Sequence, residues 1–291
     1  MIKRKKEFSI EDKIDNFMYE CESNDSQLIS RHYANAHKEL FSKKTLQTIE
    51  NFDYWMNSLR NNNTWIGVSG SWRMMDQNLI NEATRIFRTI VSRGKGIITG
   101  GALGVGDYLA TEIVLKEGNP HEQLRIILPV DRVTYTERYQ KAVEENIITR
   151  SQADHISSQL LYIDEHFKEI IFDDTPYSEN KFLEPNNFDY RSECYDFRNF
   201  LVAYGSDGLL ALCVNESGGV LNTVGKIRFM NKPFKAFFYT IDEKSPHVIR
   251  EYDTLNIPNL NKKYPLPSPL NNPVYVTQDK SNSSPGISTS Q

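Results

Sequence analysis

The sequence predicts an α/β protein: a parallel sheet flanked by helices, with a helical N-terminal extension and a largely irregular C-terminal tail. Three observations carry this. Short apolar runs alternate with amphipathic stretches from Thr64 to Tyr239, two of those runs end in glycine-rich turns, and Pro, Asn and Ser crowd the residues after Ile257. Strand, glycine turn and helix in succession is the local grammar of parallel α/β sheets.

The elements follow in order. Residues 1–63 read as helical pieces joined by loops. Ser9-Ile10-Glu11-Asp12 has the pattern of a capping box, and Leu46, Ile49, Phe52, Trp55, Met56 and Leu59 form one apolar stripe at three- and four-residue spacing, which reads as packing. After Asn61-Asn62-Asn63 the main domain begins, spanning residues 64–240. Thr64 to Val68 is a buried-type strand stopped by Ser69-Gly70-Ser71. Leu79, Ile80, Ala83, Ile86, Phe87, Ile90 and Val91 make the stripe of the next helix, and Gly94 suits the left-handed position that ends it. Gly96 to Thr99 is a second strand, followed by the loop from Gly100 to Asp107 and a helix to about Lys116. Leu124 to Val130 is a third strand, and a polar helix runs from Tyr135 to Ile148.

From 151 to 196 the pattern blurs. A strand at Leu160 to Ile163 is expected within what reads as an insertion or lid. Order returns with a helix around Tyr195 to Tyr204, a strand at Gly208 to Val214, the turn Ser217-Gly218-Gly219, a helix to about Met230 and a strand at Phe234 to Tyr239. Residues 241–291 read as a tail.

Composition narrows the function classes. No run of roughly 18 apolar residues exists to span a bilayer, so no membrane association is expected. The basic start, Met1 to Glu7, has no apolar segment after it, so no secretory signal is expected. Three cysteines, Cys21, Cys194 and Cys213, with no C-x-x-C pair, give neither a disulfide framework nor a zinc module and fit a reduced cytoplasmic location. The histidines are scattered, so neither a metal nor a cofactor is expected. A net charge of −4 gives no global attraction to nucleic acid.

Glycines after a strand let main-chain N–H groups approach an anion without a Cβ in the way, and the following helix adds the positive end of its dipole. The first loop here, with Gly100, Gly101, Gly104 and Gly106, is neither G-x-G-x-x-G nor a Walker A loop, which argues against an ordinary dehydrogenase or P-loop NTPase. Two such turns in one parallel sheet point to ligand binding at the carboxyl ends of the strands.

Taken together, Val68-Ser69-Gly70-Ser71-Trp72-Arg73, Thr99 to Asp107, Phe197-Arg198-Asn199 and Ser217 to Thr223 resemble the Rossmann-like superfamily that unites DNA-processing protein A (Smf) with the LONELY GUY phosphoribohydrolases. The resemblance covers roughly Thr64 to Tyr239. It implies a phosphate cradle built on Gly70, Ser71, Arg73, Gly100, Gly101, Gly104, Gly106, Asp107, Arg198, Asn199, Gly218, Gly219, Asn222 and Thr223. Two departures matter. Leu103 stands where DNA-processing protein A has arginine, and Gly225-Lys226 stands where the phosphoribohydrolases carry their catalytic glutamate, with Glu216 and Asp107 as the nearby carboxylates. The leading expectation is therefore a protein that binds a nucleotide or nucleotide derivative. Hydrolysis of the N-glycosidic bond of a nucleoside monophosphate is the first alternative. Single-stranded DNA binding is the second, and it calls for a basic stripe drawn from Arg73, Arg125, Arg132, Arg138, Lys226 and Arg228. A homodimer is expected from the resemblance alone.

Overall fold

The sheet is assembled so that alternate residues of its parallel strands feed two separate cores. In the computed structural model, which describes residues 9–23, 25–59, 63–72, 76–242 and 245–252, the helices in chain order are α1 (Ile10–Glu22), α2 (Ser26–Ala36), α3 (Lys43–Ser58), α4 (Gln77–Ser92), α5 (Asp107–Glu117), α6 (Pro120–Gln123), α7 (Arg132–Glu144), α8 (Arg150–His166), α9 (Glu179–Leu183), α10 (Phe188–Gly205) and α11 (Gly218–Phe229). The strands are β1 (Trp65–Gly70), β2 (Gly96–Thr99), β3 (Leu124–Ile127), β4 (Ile171–Phe172), β5 (Gly208–Val214), β6 (Phe234–Asp242) and β7 (Ser245–Tyr252).

These strands form one sheet in the order β4-β3-β2-β1-β5-β6-β7. The first six are parallel and β7 lies antiparallel on β6. The parallel strands are short, largely apolar runs because both faces are covered, as a parallel sheet requires. Period-two alternation then sorts the side chains. Ile66, Val68, Leu210, Leu212 and Val214 enter a core with residues of α1, α4, α5, α7 and α8, whereas Trp65, Leu209, Ala211 and Cys213 enter a second core with α3, α10 and α11.

The N-terminal helices belong to these layers. Helix α1 starts at a capping box between Ser9 and Asp12 and places Ile14, Phe17, Met18 and Cys21 in the first core; α3 places Ile49, Phe52 and Met56 in the second. Charge pairs Glu11–Arg85 and Asp15–Arg93 also tie α1 to the α4 region, at 2.8 and 2.9 Å, but their side chains are largely exposed. Exposed pairs contribute about 0–1 kcal/mol. Each fully buried aliphatic or phenyl side chain contributes about 1.5–3 kcal/mol, so apolar burial dominates the docking.

One expected element is different. Leu160 to Ile163 lies inside helix α8, which opens on a capping box formed by Thr149 and Gln152. The four-residue window looks like a strand, but Ala153, Ile156, Leu160 and Ile163 recur at helical spacing and are fully buried, whereas Leu161 and Tyr162 are exposed. Residues 150–196 thus contribute α8, β4, α9 and the first half of α10. Within the expected tail, β6 reaches Asp242 and β7 follows; the rest of that tail lies outside the described residues.

The chain builds β1 to β4 outward in one direction, then crosses back to place β5 on the other side of β1. That reversal opens a crevice at the carboxyl ends of β1 and β5. Its geometry depends on a close backbone crossing, in which a Cβ added to Gly106 would meet the Cα and N of Gly70 at 2.5 and 2.6 Å. Gly106→Ala is expected to destabilise the fold by about 1–3 kcal/mol through overpacking, read as a lower urea midpoint at unchanged slope. An unchanged midpoint would show that the crossing tolerates a methyl group.

Candidate functional site at the switch point of the sheet

A cavity of about 630 Å³ opens at this crevice, lined from β1 by Val68, Ser69 and Gly70, from the first glycine loop by Gly100, Ala102 and Asp107, and from the second turn by Ser217, Gly218 and Gly219. Helix α10 supplies Arg191, Tyr195, Arg198 and Asn199, and α7 supplies Tyr135, Arg138 and Tyr139. The volume falls within the range of small-molecule sites, about 300–1,000 Å³.

The two glycine turns do different work. In the first, Gly101 and Gly104 have positive φ, 59° and 125°, and Leu103 and Val105 turn into the core. Gly100 has no room for a side chain, because a Cβ there would fall on the guanidinium of Arg198. That guanidinium donates from Nη1 to the Gly100 carbonyl at 2.5 Å. Asp107 closes the loop on itself: its Oδ1 accepts from the Gly100 N–H at 2.6 Å and from Thr99 Oγ1 at 3.0 Å. Thr99 Oγ1 in turn accepts from the Gly101 N–H at 2.9 Å, and Tyr139 Oη accepts from the Leu103 N–H at 3.1 Å. Main-chain donors at Gly100, Gly101 and Leu103 are therefore committed internally. The first loop seats Arg198 and holds the backbone crossing.

The second turn is open. Asn215 and Glu216 both take left-handed backbone, φ 49° and 56°, which lifts the chain out of β5 and starts α11 at Gly218. Ser217 at the N-cap makes no side-chain capping bond. The first N–H groups of a helix have no partner within it. Those of Gly218, Gly219 and Val220 start a twelve-residue helix at the cavity wall. A Cβ added at Gly218 or Gly219 would meet nothing within 4 Å.

Arg198 sits against the first turn and lines the same cavity as the second. It is nine per cent exposed, and its Nε has no hydrogen-bond partner. Its guanidinium carbon lies 5.7 Å from the Tyr195 ring centroid. The phenols of Tyr135 and Tyr139 share a 3.1 Å hydrogen bond, and burial pushes both of them, like Tyr195, above the ordinary tyrosine range, against the pull of Arg198. They act as neutral, polar-tipped walls.

Of the residues expected from the sequence, the structure brings Gly70, Gly100, Asp107, Arg198, Asn199, Gly218, Gly219 and Thr223 to the cavity. Ser71, Gly101, Gly104, Gly106 and Asn222 lie behind its lining. Ser71 extends the β1–β5 ladder, its Oγ accepting from the Val214 N–H at 2.8 Å. A side chain at Gly104 would meet the Ser71 carbonyl at 2.6 Å. Thr223 Oγ1 donates to the Gly219 carbonyl at 3.0 Å. Asn222 donates to Asp196, which also pairs with Lys226 at 2.8 Å in a buried cluster. Burial holds the Lys226 ammonium below its ordinary range, opposed by Asp196. Arg73 lies outside the described residues.

Arg191, Tyr135, Tyr139, Tyr195 and Phe188 were not expected at the site, and Arg138 was expected only as part of the basic stripe. The seven-residue spacing of Arg191 and Arg198, which puts both on one helical face, was the signal in the sequence that could have found one of them. The expected basic stripe is dispersed. Arg125 is buried, donating to the carbonyls of His121, Leu124 and Leu59; Lys226 is buried against Asp196; Arg132 and Arg138 pair with Asp164 and Glu145 at 2.9 and 2.7 Å. Among the described residues, no group of three or more His, Cys, Asp and Glu is placed to hold a metal, and no helix is long and apolar enough to cross a membrane.

No protein-family model matches the chain, and no curated protein matches it in sequence. Among solved structures it is similar to DNA processing protein A from Helicobacter pylori, described for its single-stranded DNA binding mode, with 16% identity and a TM-score of 0.40. That likeness covers 60% of this chain and spans 64% of the other.

Asp107 gives the site a pH signature. Its carboxyl is fully buried and sits above the ordinary value of 3.8 because desolvation outweighs Arg198, the Gly100 N–H and Thr99. A carboxyl raised on folding is protonated in both states below the unfolded value, and its ionisation penalises the folded state as pH climbs through the folded value. Asp107→Asn keeps an acceptor for Gly100 and removes that penalty. Urea unfolding is therefore expected to show the variant more stable at pH 7, with the advantage vanishing toward pH 4. A variant that loses stability increasingly as pH rises would mean that pairing with Arg198 outweighs burial.

Proposed function

We propose that the cavity binds a nucleotide or nucleotide-derived ligand, with a phosphate received by the start of α11 and by Arg198. One observation carries the proposal: a guanidinium whose buried Nε has no hydrogen-bond partner lines the same cavity as a helix start whose first N–H groups lack a side-chain cap. An unsatisfied buried donor costs about 1–3 kcal/mol, and more for a charged group. A phosphate oxygen satisfies Arg198 and the α11 amides at once, as charge-assisted hydrogen bonds to the positive end of a helix. The aromatic walls from Tyr135, Tyr195 and Phe188 suit the ribose and base.

The site favours binding over N-glycosidic hydrolysis. Among the described residues lining the cavity, Asp107 is the sole carboxylate, and its Oδ1 is already engaged by Thr99 and Gly100. Glu216 is absent from that lining. Dispersal of the basic residues into internal pairs disfavours a continuous strand-binding groove, which needs a charged track along the backbone of the nucleic acid.

Thermal unfolding against nucleoside monophosphates, cyclic nucleotides, NAD, ADP-ribose and short single-stranded DNA tests the reading. A bound nucleotide is expected to stabilise the fold by about 2.7 kcal/mol at 100 times its dissociation constant. Gly219→Glu places a carboxylate in the open space at the helix start, so it is expected to leave the fold intact and abolish the nucleotide effect. Stabilisation by DNA alone, or by no member of the panel, would overturn the assignment.

A further inference from the structure

Helix α10 carries a second guanidinium to the same cavity. Arg191 and Arg198 are seven residues apart, which puts them on one face of the helix and about 10 Å apart along its axis. Arg191 is six per cent exposed. Its Nη1 donates to the carbonyls of Glu184 at 2.7 Å and Phe182 at 3.4 Å, and its guanidinium carbon lies 4.8 Å from the ring centroid of Phe188. From α7, Arg138 lines the same end and reaches Glu145 at 2.7 Å. Burial first, and then the like charge of Arg138, hold Arg191 below the ordinary guanidinium range. This end therefore presents two cations, of which Arg191 is held by carbonyls and Arg138 by an acid. Glu145 pairs with Arg138 and also opposes the shift of Arg191, so this end holds one more cation than acid, a charge that a phosphoryl group would neutralise.

We infer that Arg138 and Arg191 form a second anion subsite, and that the ligand carries two phosphoryl groups bridged by a sugar, one at the start of α11 with Arg198 and one between Arg138 and Arg191. The inference rests on the phosphate reading of the first subsite and specifies the ligand class. A pyrophosphate does not suit the arrangement, because phosphoryl groups sharing one oxygen lie much closer together than two turns of helix. A nucleoside 3′,5′-bisphosphate and the 5′-phosphorylated end of a strand share the required chemistry. Tyr195, one turn from Arg198 on α10, contributes the wall between the subsites and feels both Arg198 and Arg138.

Isothermal titration of the full chain separates these cases. The ligands are the four nucleoside 5′-monophosphates, the matching 5′-diphosphates, the 3′,5′-bisphosphates, and 5′-phosphorylated dinucleotides and longer strands. A sugar-bridged second phosphoryl group is expected to tighten binding at least tenfold over the monophosphate, while a diphosphate gains less than threefold. Arg138→Gln and Arg191→Gln should each cut the ratio of bisphosphate to monophosphate affinity to below threefold. Two variants guard against misfolding, since Arg191 also holds two carbonyls. Bisphosphates binding more tightly than any strand would identify a free nucleotide as the source, whereas 5′-phosphorylated dinucleotides binding more tightly than bisphosphates, with no further gain in longer strands, would identify a strand end. Monophosphate binding with no gain from the bisphosphate, an equal gain from the diphosphate, or a gain that survives both substitutions would overturn this inference alone. Failure of every nucleotide to bind would overturn it together with the phosphate reading beneath it.

Discussion

The site hangs on the contact between Arg198 and the backbone of Gly100. A guanidinium occupies the space where a Cβ would stand, and its hydrogen bond to the Gly100 carbonyl joins α10 to the end of β2. Asp107 holds the same residue from its N–H side. Burying an arginine this deeply is unfavourable unless its charge and donors are met. Here Gly100 supplies one acceptor and Asp107 lies close enough to be felt by the charge, while Nε stays buried without a hydrogen-bond partner. The remaining architecture positions that group. The reversal of strand order at β1 creates the crevice, the Gly70–Gly106 crossing brings β1 against the first loop, and α11 begins at the cavity wall.

The two glycine turns look alike in sequence but divide the labour. Glycine in the first loop is needed where backbones or the Arg198 guanidinium come too close for any side chain, so that loop is framework. Glycine in the second turn borders open space, and no packing reason explains it. On the proposed reading, that open space is where the phosphate sits. The preceding left-handed residues, Asn215 and Glu216, aim the helix start at the cavity and so store a local conformational cost at the site.

Most of the fold was legible because it rests on short-range pattern. The strands at Gly96 to Thr99 and Gly208 to Val214 coincide with the observed β2 and β5, and the left-handed ending at Gly94 is present with φ 71°. The misreading at Leu160 to Ile163 came from judging four apolar residues without the longer helical stripe on which two of them lie. For the site, Arg198 could be singled out from its place near a glycine turn. Arg191 was legible only through its seven-residue spacing from Arg198 on α10, and Arg138 could not be placed, because it reaches the cavity from α7, remote in sequence. The packing role of Gly100 was hidden for the same reason: its neighbour is a side chain 98 residues away.

Nitrogen-15 NMR of the free protein titrated with a nucleoside 5′-monophosphate addresses the central claim most directly, since the Arg198 Nε–H and the amides of Gly218, Gly219 and Val220 are each observable. The account predicts that these four signals shift together and saturate with one common affinity, with the Arg198 Nε–H moving in the direction of a newly formed hydrogen bond. Signals that stay in place at saturating nucleotide, or a response confined to residues away from the switch point, would contradict it.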